Sequence, residues 1–365
     1  MLKTYELKNA KMVWSKEDIA YQEVLDEFEN ADYILVVTFN VSEKQEQLIK
    51  YLEKVNEETP IQIFTNIPQR YERYYNDLVR KQAKKKINAY IKRLNPENFG
   101  KISETYFCFD NHAKIIMTDK IAYIGSANYS DESKKNYEAG VISTDVELIE
   151  FVKTEIVSDL ISSSESYYSG DTLYYIVTLA MLTSRLVDAE ERIYYSCFST
   201  FEHAGREYGD YYDTANNSLS IIELDYLENV ILDLQDLLKE LIDKLSDSNI
   251  LTEEMQEEIS ELDFDNIRNF YSNDTNIWNL ASFDITDFAM DYIQEHSLEA
   301  DTENLARIAD IGSQQGFEYG EELAQIAQED VLYILDSLKI FKDKLNEIIE
   351  EIPRGKLNKE IDNTF

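Results

Sequence analysis

The stretch NHAKIIMTDKIAYIGSANYSDESKKNYEAGV, residues 111–141, decides how the first part of the chain folds. It contains two short apolar runs, 113–118 and 121–124, with Asp119 and Lys120 between them. Two apolar runs around a short polar turn are typical of a β-hairpin. The small and polar residues that follow the second run predict a tight turn at the end of its strand.

The polar residues of this stretch would meet at one end of the hairpin. His112 and Lys114 are two residues apart, so on a strand their side chains point to the same face. Gly125, Ser126 and Asn128 leave the second strand as a tight turn. An imidazole, an ammonium, a hydroxyl and an amide suit a phosphate group, because they offer a cation, neutral donors and a titratable nucleophile or acid. The pattern therefore predicts a phosphate-handling site at one end of a sheet.

These residues resemble the HKD signature of the phospholipase D superfamily. The positions that carry the resemblance are His112, Lys114, Asp119, Gly125, Ser126 and Asn128. Five residues separate the Asp from the Gly where the family pattern has six. The segment NYEAG, residues 136–140, matches the place where family members put a carboxylate on the nucleophilic histidine, which here is Glu138.

The resemblance implies a role for each residue. His112 would be the nucleophile that forms a covalent phosphohistidine, and Glu138 would orient its ring through the other nitrogen. Lys114 and Asn128 would bind the non-bridging phosphate oxygens, and Ser126 would donate a further hydrogen bond.

The remaining expectations from the resemblance concern Asp119, the metal and the second histidine. Asp119 would order the hairpin or Lys114. No metal or cofactor is implied, and the sequence shows no metal-ligand spacing. The family reaction needs a second histidine as general acid, but neither His203 nor His296 stands in an H-x-K context. We therefore expect a homodimer in which the second histidine is supplied in trans at a two-fold interface.

The pattern along the chain predicts an α/β domain followed by helices. The apolar runs 33–39 and 61–65 flank an amphipathic helix, which indicates a βαβ unit. We expect a phospholipase D-like domain, a mixed sheet flanked by helices, at 1–161, a Ser-rich linker at 162–170 and a strongly acidic all-α domain at 171–365. A helix at 146–161 would close the first domain, and further helices are expected at 172–201, 301–325 and 329–351. In the acidic domain Ser220 and Glu223 have the spacing of a capping box. The leucines and isoleucines from 224 to 245 that follow form a heptad seam that needs a partner helix, either in the same domain or across a dimer.

Charge is divided unevenly along the chain. The net charge is −37, and by count residues 1–150 contribute −4 of it while residues 151–365 contribute −33. The acidic part would repel nucleic acid and anionic membrane and would attract a basic protein partner. The alternative is a solvated acidic shell that keeps a helical domain in solution.

The predicted helix 71–94 is the one strongly basic stretch. It and its flanks are rich in Lys and Arg, with Tyr71, Tyr74, Tyr75 and Tyr90 interleaved. Cations neutralise phosphates and aromatic rings stack on bases, so the stretch is a candidate nucleic-acid surface. Its candidate contact residues are Arg73, Arg80, Lys81, Lys84 and Lys85. A solvated helix face with lysines extended along it is the alternative.

Three functions compete. The first is a metal-independent, cytoplasmic endonuclease, with DNA as substrate, that defends against foreign DNA and is restrained by the acidic domain. The second is a phospholipase D-type lipid hydrolase, although the sequence offers no apolar loop for docking on a membrane. The third is a regulatory protein that binds a basic partner through the acidic domain. Cys108 and Cys197 fit no zinc or redox spacing, and no apolar run is long enough to span a bilayer.

Overall fold

A computed structural model gives the fold of the chain. It describes residues 3–7, 9–41, 47–52, 54–67, 77–99, 103–168, 170, 172–203, 206–245, 252–272, 274–297 and 302–354. The chain divides into two compact units, one of Met1–Met181 with Pro353–Phe365 and one of Leu182–Ile352.

A mixed sheet forms the centre of the first unit. Its strands are β1 Lys3–Leu7, β2 Ala10–Ser15, β3 Ile34–Thr38, β4 Ile61–Thr65, β5 Ser103–Phe107, β6 Ile115–Thr118, β7 Ala122–Gly125, β8 Glu138–Ser143 and β9 Glu165–Ser166. Their order across the sheet is β1-β2-β8-β7-β6-β3-β4-β5-β9. Strands β3, β4 and β5 run parallel, and every other neighbouring pair is antiparallel. The predicted mixed sheet and its βαβ unit are confirmed.

Helices complete this unit. They are α1 Gln22–Asp26, α2 Gln47–Leu52, α3 Asp77–Arg93, α4 Val146–Phe151 and α5 Val157–Ser162, with a π-helical turn at Val152–Ile156 between the last two. Leu35 and Val37 of β3 pack in one apolar cluster with Ile149, Val152 and Val157. The α4–α5 segment therefore covers one face of the sheet, and it occupies the place of the single helix predicted at 146–161.

Three described strands of this first unit were not predicted. Strand β1 is at the edge of the sheet and β2 lies between it and β8. With five and six residues and no regular alternation of polar and apolar positions, both give only a weak signal in the sequence. Strand β9 lies inside the predicted linker and pairs with β5. The domain boundaries themselves stay a prediction.

The second unit is helical, as predicted, apart from one hairpin. Helix α6, Leu173–Cys197, leads into it, and its other helices are α7 Ile221–Leu245, α8 Glu253–Ser260, α9 Phe264–Arg268, α10 Asn276–Ser282, α11 Ile285–His296 and α12 Thr302–Glu351. The prediction of a helix to residue 201 is wrong, because α6 ends at Cys197 and β10, Phe198–His203, pairs with β11, Arg206–Tyr212. The two helices predicted at 301–325 and 329–351 form a single helix in the structure, α12.

The heptad seam of α7 is covered within the single chain. Helix α7 begins with the predicted capping box, in which the Ser220 amide donates to Glu223 Oε2 at 3.1 Å. The seam residues with described side chains are all buried: Leu224, Leu227, Ile231, Leu234, Leu238 and Leu241. No second copy is needed to cover them. Among the described residues, no helix is both long enough and apolar enough to cross a membrane.

Candidate active site

The predicted site residues lie at one edge of the sheet. Val37, near the end of β3, pairs with Ile115 at the start of β6, and Ile115 pairs with Ile124 near the end of β7. Gly125 then pairs with Gly140 of β8. The ends of β3 and β7 and the starts of β6 and β8 therefore meet at the same edge, and His112 lies just before β6.

His112 and Lys114 contact each other. Lys114 Nζ lies 3.2 Å from His112 Nδ1 and also donates to the His112 carbonyl oxygen. The Lys114 side chain is buried, whereas His112 is exposed. Burial lowers the pKa of the Lys114 ammonium, and the negative charge of Glu138 opposes that shift. Lys114 and Glu138 therefore act on each other in the same site.

Asn111 holds His112 in place from the preceding position. Its Nδ2 donates to the Thr38 carbonyl at 3.1 Å, and its Oδ1 accepts from the Ala113 amide at 2.9 Å. The side chain is buried. The backbone on both sides of His112 is thereby tied to the end of β3.

Ser126 and Glu138 form the second part of the site. Ser126 Oγ donates to Glu138 Oε2 and accepts from the Ala139 amide at 3.0 Å. Between described residues, Glu138 makes this hydrogen bond and none to His112. Glu138 therefore binds the Ser126 hydroxyl in this structure, and its expected role of orienting the His112 ring stays a prediction.

Asn128 is oriented by the end of β3. Its Oδ1 accepts from the Phe39 amide at 3.2 Å and lies 3.4 Å from Thr38 Oγ1. Its backbone carbonyl accepts from the Tyr21 hydroxyl at 3.0 Å. With the amide oxygen held in this way, the Nδ2 amino group is the end that can donate to a phosphate oxygen.

The Phe39 ring connects these groups. Its centroid lies 5.5 Å from that of the His112 ring and 5.8 Å from Lys114 Nζ. Because the Phe39 amide also binds Asn128, one residue contacts three of the predicted site residues. His112, Lys114, Ser126, Asn128 and Glu138 thus form one group.

The turn at Gly125 is built around the buried ring of Tyr123. The Tyr123 hydroxyl donates to the Ala139 carbonyl at 3.3 Å and accepts from the Ala127 amide at 3.1 Å. A Cβ on Gly125 would lie 2.3 Å from the Tyr123 hydroxyl oxygen, and one on Gly140 would lie 2.4 Å from Tyr123 Cε2. Glycine is required at both positions for this ring to support the Ser126 turn. Burial raises the pKa of Tyr123 to about 12.

Asp119 does not lie with the others. It follows Thr118, which pairs with Ile34 at the start of β3, so it stands at the opposite edge of the sheet from His112. Its Oδ1 accepts from the Asp32 amide at 2.9 Å. This hydrogen bond ties the connection between β6 and β7 to the segment before β3, away from Lys114, and the expected role of Asp119 in ordering the hairpin stays a prediction.

The basic helix is only partly described. Arg73, Tyr71, Tyr74 and Tyr75 lie outside the described residues, and Arg80 and Lys81 are on α3 with side chains that are not described. Lys85 is exposed, and so is Lys86, which was not predicted as a contact. Lys84 Nζ lies 4.9 Å from the ring centroid of Tyr174.

Tyr90 is not a base-stacking residue. It is buried, and its hydroxyl contacts Thr65 Oγ1 at 2.9 Å and accepts from the Val41 amide at 3.0 Å. These contacts place it at the site edge of the sheet, whereas the Leu94 carbonyl accepts from Thr105 in the middle of β5. Helix α3 therefore runs outward from the sheet toward its N-terminus. Its basic residues 80–86 extend about 6–15 Å beyond Tyr90, on the side of the site, at 1.5 Å per residue.

The residues that sequence reasoning missed are Thr38, Phe39 and Tyr123. The first two stand at the carboxyl end of a buried strand, which is where sheets of this kind place functional groups. Their position after this apolar run was the signal in the sequence that could have identified them.

In the described part of the chain, no group of His, Cys, Asp and Glu side chains could hold a metal ion.

Residues 24–160 match the family model described as "Cardiolipin synthase, PLD-like domain". No curated protein matches the chain. Solved structures similar to the chain include Nuc from Salmonella typhimurium, described as a phospholipase D family member, at 16% identity and a TM-score of 0.32, covering 44% of this chain and 98% of that one.

Two further solved structures are similar. NucT from Helicobacter pylori has 16% identity and a TM-score of 0.32, covering 43% of this chain and 99% of that one. Phosphatidylserine synthase from Haemophilus influenzae has 13% identity and a TM-score of 0.33, covering 52% of this chain and 47% of that one.

Proposed function

We propose that this chain, whose residues 24–160 form a phospholipase D-like domain, is a metal-independent phosphodiesterase that cleaves nucleic acid, with DNA as the expected substrate. The observation that carries the proposal is the contact of His112 with Lys114 at the sheet edge where Ser126, Asn128 and Glu138 also lie. The group offers a nucleophile, a buried cation and amide and hydroxyl donors around one exposed imidazole.

The proposed reaction has two steps. A ring nitrogen of His112 attacks phosphorus, the P–N bond forms, and the P–O bond to the leaving oxygen breaks while a second imidazole gives that oxygen its proton. Water then attacks the phosphohistidine, passes a proton to the second imidazole, and the P–N bond breaks. Lys114 and the Asn128 amide stabilise the negative charge on the non-bridging oxygens in both steps.

A second copy of the chain would supply the second imidazole. The other two histidines, His203 in β10 and His296 in α11, belong to the second unit. Beside the site, the sheet presents an exposed apolar face. Met12 of β2 pairs with Val141 of β8, which pairs with Ile124 of β7, and all three are exposed. Apolar side chains on neighbouring strands form one row, and such a row next to an incomplete site supports a two-fold interface there.

The interface proposal has a direct test with a matched control. Val141→Asp places a charge in the apolar row, and we expect a monomer in sedimentation that has lost cleavage although His112 is intact. Val146→Asp is the control, because Val146 is exposed but lies on α4 outside the sheet. A dimer that survives Val141→Asp with full activity would place the interface elsewhere.

The nuclease assignment is supported by α3. Residues 77–93 carry seven Lys or Arg and one acidic residue, and the helix extends beyond the site edge. Basic side chains beside a phosphodiester site would neutralise the phosphates that flank the one being cleaved.

The decisive experiment is cleavage of DNA, RNA and phospholipid vesicles in EDTA, with wild type beside His112→Ala. We expect DNA cleavage in EDTA that falls more than about a hundredfold in the variant. Cleavage of phospholipid alone would identify the lipid hydrolase. Loss of every cleavage only on chelation would remove the proposed mechanism.

We also propose that the acidic residues 151–365 restrain the nuclease activity of the first part of the chain. It is supported by the counted charges of −4 for residues 1–150 and −33 for residues 151–365. An internal acid–base contact would be screened by salt, so activity of the full chain would rise from about 20 to 150 mM salt. Without such a contact, the affinity for DNA, and with it the activity, would fall over the same range of salt. A cytoplasmic role in defence against foreign DNA stays a prediction from the sequence.

A further inference from the structure

Helix α12 of the second unit carries two apolar rows, of which one faces its core. The core row consists of Ala324, Ala327, Val331, Ile334, Leu338, Phe341, Leu345 and Ile348, all of them buried. Their spacing of three and four residues is that of an amphipathic helix packed on one side. This row attaches the C-terminal half of α12 to its unit, while Gly312 and Gly316 nearer the N-terminus lie against Tyr292 and Phe288 of α11.

The second row is exposed and repeats every seven residues. Tyr319, Ile326, Tyr333 and Ile340 expose 43%, 51%, 57% and 60% of their surface. One side of the Tyr319 ring packs within the unit, on Phe283 at 5.3 Å and Phe288 at 5.7 Å between ring centroids, so the fully open part of the row begins at Ile326. Residues seven apart lie almost in line on a helix, so the four side chains form a ridge about 32 Å long at 1.5 Å per residue. Single exposed apolar residues are ordinary, but an aligned series of this length marks an interaction surface.

An acidic row runs beside the ridge. Three residues after each ridge residue stands a carboxylate: Glu322, Glu329, Asp336 and Asp343. All four are exposed. Positions three apart are neighbours on a helix surface, so every apolar contact point on this face has a negative charge next to it.

We propose that this ridge of α12 binds a basic amphipathic helix of a partner protein. An apolar stripe on the partner would cover the ridge residues, as in a two-stranded coiled coil, and Lys or Arg beside that stripe would pair with the acidic row. A second copy of the same face fits poorly, because it would bring one acidic row against another. The surface is independent of the phosphodiesterase site and of its proposed reaction.

The test uses a synthetic helix of about 24 residues, with Leu at heptad a and d positions and Lys at the flanking positions, titrated into the full-length protein at about 150 mM salt to screen weak surface attraction. Two peptides serve as controls, one with the same composition in scrambled order and one with Glu in place of Lys. Fluorescence anisotropy gives the Kd. We expect the amphipathic Lys peptide to bind at least tenfold more tightly than either control.

Variants of the ridge separate this surface from the general acidity of the protein. Ile326→Asp and Ile340→Asp together should weaken binding at least tenfold. Leu332→Asp is the matched control, since Leu332 is 44% exposed on the same helix but lies about 100° around from Tyr333, and it should leave the Kd unchanged. Glu329→Lys with Asp336→Lys should reverse the preference toward the Glu peptide.

Three results would overturn the proposal. The first is equal binding of the amphipathic and scrambled peptides, which would reduce the surface to general charge. The second is equal weakening by Leu332→Asp and by the ridge variants. The third is a change in oligomeric state of the Ile326→Asp, Ile340→Asp variant in sedimentation, which would assign the ridge to a second copy. Unfolding curves of all variants show that each is folded.

Discussion

The hydroxyl of Thr38 lies 3.4 Å from Oδ1 of Asn128, although 90 residues separate them in the sequence. The same hydroxyl accepts from the Tyr129 amide at 2.9 Å. The end of β3 therefore fixes both the side chain and the following backbone of a predicted phosphate-binding residue.

Replacing Thr38 should reduce turnover more than it reduces stability. In Thr38→Val the Tyr129 amide loses its acceptor and Asn128 loses a neighbour, so we expect kcat to fall about tenfold, equivalent to about 1.4 kcal/mol. Thr65→Val is the matched control, because Thr65 pairs with Thr38 in the sheet and is buried, but contacts Tyr90 rather than Asn128. Urea unfolding measures stability alongside. Equal losses of kcat in both variants would show that Thr38 has no special role.

The close approach of Gly140 to Tyr123 predicts coupling between the two residues. Gly140→Ala should destabilise the protein by about 1–3 kcal/mol, because the added Cβ would overlap Tyr123 Cε2 and Cζ. Leucine lacks these two atoms, so the same change made in a Tyr123→Leu background should cost less. A double-mutant cycle measured by urea unfolding gives the difference. Additive effects would contradict the predicted clash.

The lowered pKa of Lys114 predicts an early alkaline limb in the pH profile. Lys114 stabilises negative charge only while protonated, so kcat/KM should fall as pH rises through a pKa below the ordinary lysine value of about 10.4. The measurement is hydrolysis of bis(4-nitrophenyl) phosphate, with His112→Ala as background. In Lys114→Arg the guanidinium stays charged, and the limb should disappear from whatever activity remains. A limb at or above 10.4 would be inconsistent with burial of the ammonium.

Asp213 predicts a pH-dependent part of the stability of the second unit. Hydrogen bonds from Ser199 and Asn216 hold the pKa of this carboxyl at about 2, against about 3.9 in an unfolded chain. A folded pKa below the unfolded one adds stability above about pH 4 that is lost as pH falls toward 2. Asp213→Asn should therefore lower the urea midpoint at pH 7 and differ less from wild type at pH 3. A pH-independent difference would rule out this linkage.

The sequence predicted the features that depend on neighbouring residues. The hairpin 113–124 and the position of Lys114 beside His112 follow from alternation and spacing within one short stretch. The capping box at Ser220 was equally local. Glu138 was expected beside His112, whereas its hydrogen-bond partner in the structure is Ser126, and nothing in the spacing of residues distinguishes these two donors.

The features that could not be predicted from the sequence depend on contacts between distant segments. The contact of Thr38 with Asn128 is invisible in the apolar run 34–38. Tyr90 was expected on a nucleic-acid surface, because an aromatic residue among lysines has the same pattern whether its ring faces solvent or core. The heptad repeat of α12 is present in the sequence, but only the structure shows that its residues are exposed rather than part of the core.

In the proposed mechanism, two copies of His112, one from each subunit, complete a single site. The most direct measurement uses two differently tagged chains, wild type and His112→Ala, that are co-expressed and purified as the mixed dimer. The account predicts that cleavage by the mixed dimer falls at least about a hundredfold below wild type, because each site needs both imidazoles. A mixed dimer that keeps about half of the wild-type activity would show two independent sites and would contradict the claim.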